Sequence, residues 1–211
     1  MRIGIDFDNT IACYDGVFHR AAVERGLVPP TLGTSKNAVR DHLNGSGRDD
    51  AFTQLQGYVY GARMELVQPY PGVADFIRRA RSGGHDVFVI SHKTSRPMSG
   101  ADYDLHASAR QFLEARGFIG PTAVPAGNVY FEPTKTAKVA VAASVGCDVF
   151  IDDLPEILAL PGFPDGMRPV LFDPDRTYAA PSSRAHLAAT PRVAVCHDWS
   201  AIADLVLGRT Q

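Results

Sequence analysis

Short apolar runs rich in β-branched and aromatic residues recur along the chain. Each ends in polar residues, and segments of helical character separate them. RIGIDF (2–7), HDVFVIS (85–91), VYFE (129–132) and DVFID (148–152) are the clearest, with RPVLFD (168–173) a fifth and RVAVCH (192–197) a sixth. Near-continuous hydrophobicity, in place of strict alternation, is the pattern of strands buried on both faces of a parallel sheet. Helices are expected between them. GVADFIRRA (72–80) runs to Gly83 and Gly84, a helix stop. The segment 104–116 places Leu105, Ala109, Phe112 and Leu113 on one face and meets Gly117, and 134–145 ends at Gly146. A last helix over 199–207 takes Asp198 or Ser200 as its cap. The alternation predicts an α/β fold, a Rossmann-like parallel sheet with helices on both faces and right-handed crossovers.

One connection is too long for a single crossover. After Thr10 the next strand does not begin until about His85, and only 72–80 is spoken for. Val17, Phe18, Ala21 and Ala22, and later Phe52, Leu55 and Val59, recur at helical spacing. The stretch between them, 28–47, is rich in Pro, Gly, Ser and Asn and reads as a loop. The expectation is an α/β core of residues 1–13 and 71–211 with a small helical insertion over 14–70. That insertion is expected at the C-terminal edge of the sheet, where open α/β sheets bind ligands.

The remaining bounds come from composition. At 211 residues, 45% hydrophobic and 21% charged, the chain can bury a core and is not a disordered tail. A formal charge of -2 carries no basic footprint for a nucleic-acid polymer or an anionic membrane surface. Cys13, Cys147 and Cys196 are widely spaced with no CxxC, so free thiols are expected, not a disulfide framework or a zinc site. With neither a signal-peptide pattern nor a bilayer-length apolar run, a cytoplasmic protein is expected.

Chemistry gathers at the strand ends. The first run feeds directly into Asp6 and Asp8, and a buried carboxylate is costly unless something pairs or coordinates it. Ser91 ends the second run, Lys135 follows the third, and Asp152 and Asp153 end the fourth. Each alone also fits a turn, a cap or a solvated side chain. Together they fall on one edge of one sheet. Two or three carboxylates around one point suit Mg²⁺. A carboxylate can also attack phosphorus, and a second acid can move protons. A lysine, a serine hydroxyl and backbone N–H groups can hold phosphoryl oxygens.

DFDNT, VISHKT, FEPTKTAK and VFIDDLPE, in that order, resemble the four motifs of the haloacid dehalogenase-like superfamily of aspartate-nucleophile hydrolases. The resemblance spans residues 3–153 and implies a phosphatase-type member with a C1-type cap in the 14–70 insertion. It implies that Asp6 is the nucleophile and a Mg²⁺ ligand, and that Asp8 is the general acid/base with its carbonyl on the metal. It further implies that Ser91 binds the transferring phosphoryl group, Asp152 ligates Mg²⁺, Asp153 holds a metal-bound water and Thr10 orders the following loop at the substrate side. For the lysine both Lys135 and Lys138 have suitable spacing, with Lys135 preferred because it lies nearer the strand end. The second acid, absent from the dehalogenases that named the group, favours phosphate chemistry.

The implied activity is Mg²⁺-dependent hydrolysis of a small phosphorylated metabolite, a nucleotide or sugar phosphate, through a phospho-aspartate. A phosphotransferase or a non-catalytic binding protein are the alternatives. His92 and Lys93, next to Ser91, and Arg63 are candidates for substrate contact, as are His19, Arg20, Arg40, His42, Tyr58 and Tyr60 within the insertion. The acidic, proline-bearing segment 164–178 reads as a turn in preference to a second metal site, and 179–191 as an exposed connector.

Overall fold

Ile3 and Ile5 expose no surface to water, and the strand they build, β1 (Arg2–Ile5), lies inside a six-stranded sheet. A computed structural model describes residues 1–178 and 192–208. The expected connector over 179–191 lies outside them. After β1 come two strands of two residues each, β2 (Ala12–Cys13) and β3 (Gln68–Pro69). The other strands are β4 (Asp86–His92), β5 (Val129–Glu132), β6 (Val149–Asp152), β7 (Arg168–Phe172) and β8 (Ala194–Cys196). All six apolar runs are therefore strands, arranged β5-β4-β1-β6-β7-β8 with every pair parallel.

That order fixes where a ligand can enter. From β1 the chain builds outward through β4 to β5, then crosses back and continues on the other side from β6. Strand order reverses between β1 and β6, and the crevice beyond such a reversal is the ligand site of open α/β sheets. The register aligns Ile5 with Val89 on one side and Ile151 on the other. The Asp6 amide then donates to the Ile151 carbonyl at 2.9 Å, so Asp6 and Asp152 leave neighbouring strand ends side by side.

The chain divides into two compact units, one of Met1–Ile11, Pro69–His92 and Gly117–Gln211, the other of Ala12–Gln68 and Lys93–Arg116. The first holds the sheet with helices α4 (Val73–Ser82), α6 (Lys135–Ser144), α7 (Pro155–Leu158) and α8 (Trp199–Leu207). The caps are side chains in the expected places: Thr134 accepts from Ala137 N at 3.1 Å, and Asp198, not Ser200, from Ala201 N at 2.7 Å. On one sheet face Phe88, Ile90, Phe150 and Leu171 pack with Val139 and Ala142 of α6 and Ile157 and Leu158 of α7. On the other face Trp199 stacks between Phe76 (5.1 Å) and Phe172 (5.7 Å). Fully burying each such ring stabilises the fold by about 1.5–3 kcal/mol.

The second unit holds α1 (Val17–Glu24), α2 (Lys36–Gly45), α3 (Asp49–Ala62) and α5 (Leu105–Ala115). It is helical, as expected of the insertion, but differs from the expected 14–70 by also taking in 93–116. The reason is a tight seam between α3 and the segment leading into α5. Ser108 Oγ donates to Gly61 O at 3.0 Å, and a Cβ on Gly61 would lie 2.3 Å from the Tyr103 ring. The loop expected over 28–47 is also corrected, because α2 occupies half of it. Its Pro and Gly residues sit in the flanks, Pro29, Pro30 and Gly33 before and Gly45 and Gly47 at the end. Between them Ser35 caps Ala38 N at 3.1 Å, and Val39 and Leu43 bury one helical face.

Cys13, Cys147 and Cys196 are free thiols. Among the described residues no helix is long and apolar enough to cross a membrane.

Gly4, two residues before Asp6, leaves no room for a side chain. A Cβ there would lie 2.5 Å from the Phe150 ring and 3.0 Å from Cys147 Sγ. Gly4→Ala should therefore cost about 1–3 kcal/mol, read as a lower urea midpoint, from overpacking against a ring buried in the sheet. An unchanged midpoint contradicts this packing.

Candidate active site

Three buried charges meet at the reversal point. Asp6 follows β1, Asp152 is the last residue of β6, and Lys138 lies on the inner face of α6 with Val139 and Ala142. Lys138 is 2% exposed, Asp6 4% and Asp152 0%. Lys138 Nζ donates to Asp6 Oδ1 and to Asp152 Oδ2, each at 2.5 Å. The Leu154 amide donates to the other Asp152 oxygen at 2.9 Å. Asp153 joins the group: Asp6, Asp152 and Asp153 each offer a carboxylate oxygen within 4.8 Å of the others.

The lysine is the main departure from the sequence-based expectation. Lys135, the preferred candidate, is the first residue of α6, is 40% exposed, and pairs with Glu156 Oε1 at 3.1 Å. Lys138 reaches the carboxylates instead. The signal was helical periodicity: Lys138 lies four residues before Ala142, on the face that α6 buries against the sheet. Proximity to the strand end, the criterion that favoured Lys135, ignores which way the helix faces.

With all three carboxylates ionised, one ammonium would leave two negative charges uncompensated around Asp6 and Asp152, both buried, and the half-buried Asp153. Burial lowers the affinity of Lys138 for its proton, but Asp152 and Asp6 outweigh that and hold it above the ordinary lysine value. Burial pushes the Asp152 carboxyl up to about 7, and the Asp6 charge adds to the push while Lys138 opposes it. Asp153 is driven well above the ordinary carboxylate range by burial, then by Asp152 and Asp6. Lys138 alone does not neutralise the cluster. A divalent cation would supply the missing charge, and an all-oxygen donor set suits Mg²⁺. The residues present fit that ion.

The other strand-end residues lie in the same unit. Ser91, 1% exposed, is the penultimate residue of β4 and pairs in register with Phe131. The β1–β4 register, continued past Ile5, sets Ser91 opposite Phe7. Beyond β1 the chain turns sharply. Asn9 takes a left-handed backbone (φ 57°), which Asn tolerates better than most residues, and Ile11 N donates back to Phe7 O at 3.0 Å. Asp8 lies inside that turn, half-buried. Thr10 is fully buried. Its carbonyl accepts from Trp199 Nε1 at 3.3 Å, and its hydroxyl meets no hydrogen-bond partner among the described residues.

The remaining candidates are dispersed. His92 is exposed and donates through Nε2 to Pro133 O at 3.2 Å. Lys93 is buried in the helical unit, its ammonium 4.5 Å from the centre of the Tyr60 ring. Arg63 is held by Glu24, by Glu65 Oε1 at 2.8 Å and by Tyr58 Oη at 3.1 Å. Arg20 pairs with Glu24 at 3.1 Å and Arg40 with Asp41 at 2.9 Å, the ordinary state of surface arginines. Arg25 lies 4.6 Å over the Tyr58 ring, His42 is exposed, and His19 Nε2 is buried without a hydrogen-bond partner among the described residues. Around Asp173 the structure shows the turn expected there: its carboxylate accepts from Thr177 N at 2.8 Å and Tyr178 N at 3.0 Å. Burial pushes the Cys147 thiol up to about 12, the state of a packed and unreactive cysteine.

No family model and no curated protein matches the chain. Solved structures do match over nearly the whole length. A HAD family hydrolase from Deinococcus radiodurans R1, with bound phosphate and sodium, aligns with TM-score 0.59 at 16% identity, covering 98% of this chain and 95% of that one. A HAD-superfamily hydrolase from Ehrlichia chaffeensis aligns with TM-score 0.57 at 10% identity, covering 98% and 95%. A predicted phosphoglycolate phosphatase from Haemophilus somnus 129PT aligns with TM-score 0.54 at 13% identity, covering 96% of each chain. At these identities the likeness is one of fold, and the strand order and motif positions agree with it. The chain has the fold of the haloacid dehalogenase-like hydrolases.

Proposed function

We propose that the protein is a Mg²⁺-dependent phosphomonoester hydrolase for a small phosphorylated metabolite, working through a phospho-aspartate on Asp6. One observation carries the reading: Lys138 bridges Asp6 and Asp152 at 2.5 Å while Asp153 closes a three-carboxylate cluster at the sheet reversal. A purely structural ion pair needs one carboxylate per lysine, and gathering a second buried one and a half-buried third without a cation is unfavourable. The phosphate bound to the Deinococcus protein and the name of the Haemophilus one are consistent with this chemistry.

Asp6, Asp152 and Asp153, with the Asp8 backbone carbonyl, would hold Mg²⁺. When bound, the ion neutralises charge on the phosphoryl oxygens. Asp6 attacks phosphorus, forming the Asp6 Oδ–P bond as the bond to the leaving oxygen breaks. Asp8 gives its proton to that oxygen. In the second step water attacks phosphorus, Asp8 takes the water proton, and the Asp6 Oδ–P bond breaks to release phosphate. Lys138 and the Ser91 hydroxyl hold the phosphoryl oxygens throughout, and the Lys138 hydrogen bond also orients the Asp6 carboxylate.

The direct test is phosphate release from a panel of small phosphomonoesters. Turnover should require Mg²⁺ and stop in EDTA. Asp6→Asn should abolish it. Lys138→Met should lower kcat about 100-fold or more, the usual cost of one lost oxyanion donor. Lys135→Met should stay within about threefold, since it removes only an exposed ion pair. Full turnover by Asp6→Asn, or equal effects at the two lysines, contradicts the assignment.

The raised Asp152 value has its own consequence. Its folded pKa of about 7 exceeds the unfolded 3.8, so the metal-free folded protein binds more protons than the unfolded chain between those values. Metal-free stability should therefore fall as pH rises from about 4 to about 7. Mg²⁺ needs ionised carboxylates, so the Tm gain it gives should be larger at pH 8 than at pH 5. A gain that is equal, or larger at pH 5, contradicts the metal site.

A further inference from the structure

Within the sheet unit, the last turn of α4 and the segment before β5 enclose a groove of about 500 Å³. Its lining is Arg78, Arg79, Arg81 and Ser82 from the helix, with Pro121 and Thr122 from the segment. The chain path sets its place. His85 and Asp86 follow α4 directly, and the Asp86 amide donates to the Met1 carbonyl at 2.9 Å, so α4 ends where β1 and β4 begin. Asp6 and Asp152 stand at the opposite edge, where the strands end. Along β4, Asp86 and Ser91 are five residues apart, roughly 17 Å. The groove is therefore separate from the carboxylate cluster.

Arginines in a last helical turn commonly cap its carbonyls. Here those carbonyls are already served. Gly83 N donates to Arg79 O at 3.0 Å, His85 N to Ala80 O at 3.0 Å and Gly84 N to Arg81 O at 3.1 Å. Ser82 Oγ donates to Arg78 O at 2.5 Å. The guanidiniums themselves are lightly used. Arg81 gives one nitrogen to His85 O at 3.0 Å and to Asp86 at 3.4 Å, while its Nε is buried without a hydrogen-bond partner among the described residues. Arg78 meets only the exposed Asp75, at 3.2 Å. Half-buried Arg79 has no side-chain ion pair or hydrogen bond among the described residues.

Three guanidiniums thus face two aspartates, and the Met1 ammonium, 3.2 Å from His85 Nδ1, adds positive charge at the same edge. The local excess is positive in a chain whose formal charge is -2. Guanidinium forks match phosphoryl oxygens two at a time, and the Thr122 hydroxyl on the far wall can donate to another. A concave volume of about 500 Å³ is that of a small-molecule site and exceeds one phosphate ion. We infer that Arg78, Arg79 and Arg81 form a binding site for the pyrophosphoryl group of a small ligand, apart from the carboxylate cluster. The site stands whether or not the protein is a phosphomonoesterase.

The test is calorimetric titration of the full chain, without added metal, with pyrophosphate, ADP and inorganic phosphate. Pyrophosphate and ADP should bind at least about tenfold more tightly than phosphate, because each of their phosphoryl groups can take its own guanidinium. Arg79→Gln should weaken pyrophosphate binding about tenfold, and Arg79→Lys about threefold, since lysine keeps the charge and loses the fork. Asp75→Asn releases Arg78 and should tighten binding. Arg40→Gln, an exposed arginine of the helical unit, should leave it unchanged. Arg78 is exposed, so Arg78→Gln gives a second loss-of-binding variant that leaves the core intact.

ADP binding more tightly than pyrophosphate identifies a nucleotide as the ligand, and equal or weaker ADP binding identifies the pyrophosphoryl group alone. Either upholds the site. No saturable binding of pyrophosphate or ADP, or no preference over phosphate, overturns it. So does binding unchanged in both Arg79→Gln and Arg78→Gln, or an equal loss in Arg40→Gln.

Discussion

Lys138 sits 2.5 Å from carboxylates on two different strands, and much of the sheet unit serves to hold it there. The ammonium is fully buried, so its desolvation must be offset by partners placed with good geometry. Asp6 and Asp152 are so placed because β1 and β6 are adjacent and parallel, with the two residues aligned at the strand ends. The helix that delivers Lys138 is started by the Thr134 cap and pressed to the sheet by Val139 and Ala142. Two residues before Asp6, Gly4 leaves the space that the Phe150 ring fills against β1. Cap, packing and register each contribute modestly. Together they decide where one ammonium ends up.

The same arrangement stores an imbalance. Three carboxylates around one lysine are more negative than a stable interior needs, which is why Asp152 and Asp153 are pushed to hold their protons. A site tuned only for stability would drop the extra acids. In the proposed function their presence at the strand-order reversal prepares for a cation and an anionic substrate, with stability given up locally for chemistry. Trp199 illustrates the support further out: it fills the opposite sheet face and fastens the turn after β1 through the Thr10 carbonyl.

The strands were legible because each is a buried run bounded by polar residues, a pattern that survives without any knowledge of tertiary contacts. Val129–Glu132 is read at its full length for that reason. What was misread depended on direction or on averages. Lys135 and Lys138 are equally good by spacing, and only the face of α6 separates them. α2 was hidden because Pro and Gly in its flanks dominate the composition of the whole stretch, although Ser35 with Val39 and Leu43 carries a local helix signal. Likewise 93–116 looks like an ordinary crossover, and its packing on α3 through Tyr103 and Gly61 is a long-range contact that no local pattern encodes. Within the helical unit, charged residues tended to be spent on one another, as with Arg63 and its two glutamates, whereas Lys93 was singled out by its place beside Ser91 and is buried against the Tyr60 ring.

The central claim is that Asp6 becomes covalently bonded to phosphorus. The most direct measurement is acid quench of the protein during turnover, followed by borohydride reduction and peptide mapping by mass spectrometry. An acyl phosphate at Asp6 is reduced to the corresponding alcohol, a mass change that marks one residue. The account predicts that change at Asp6, dependent on both substrate and Mg²⁺. Active turnover with Asp6 unmodified, or with the mark on Asp8, Asp152 or Asp153 instead, would contradict it.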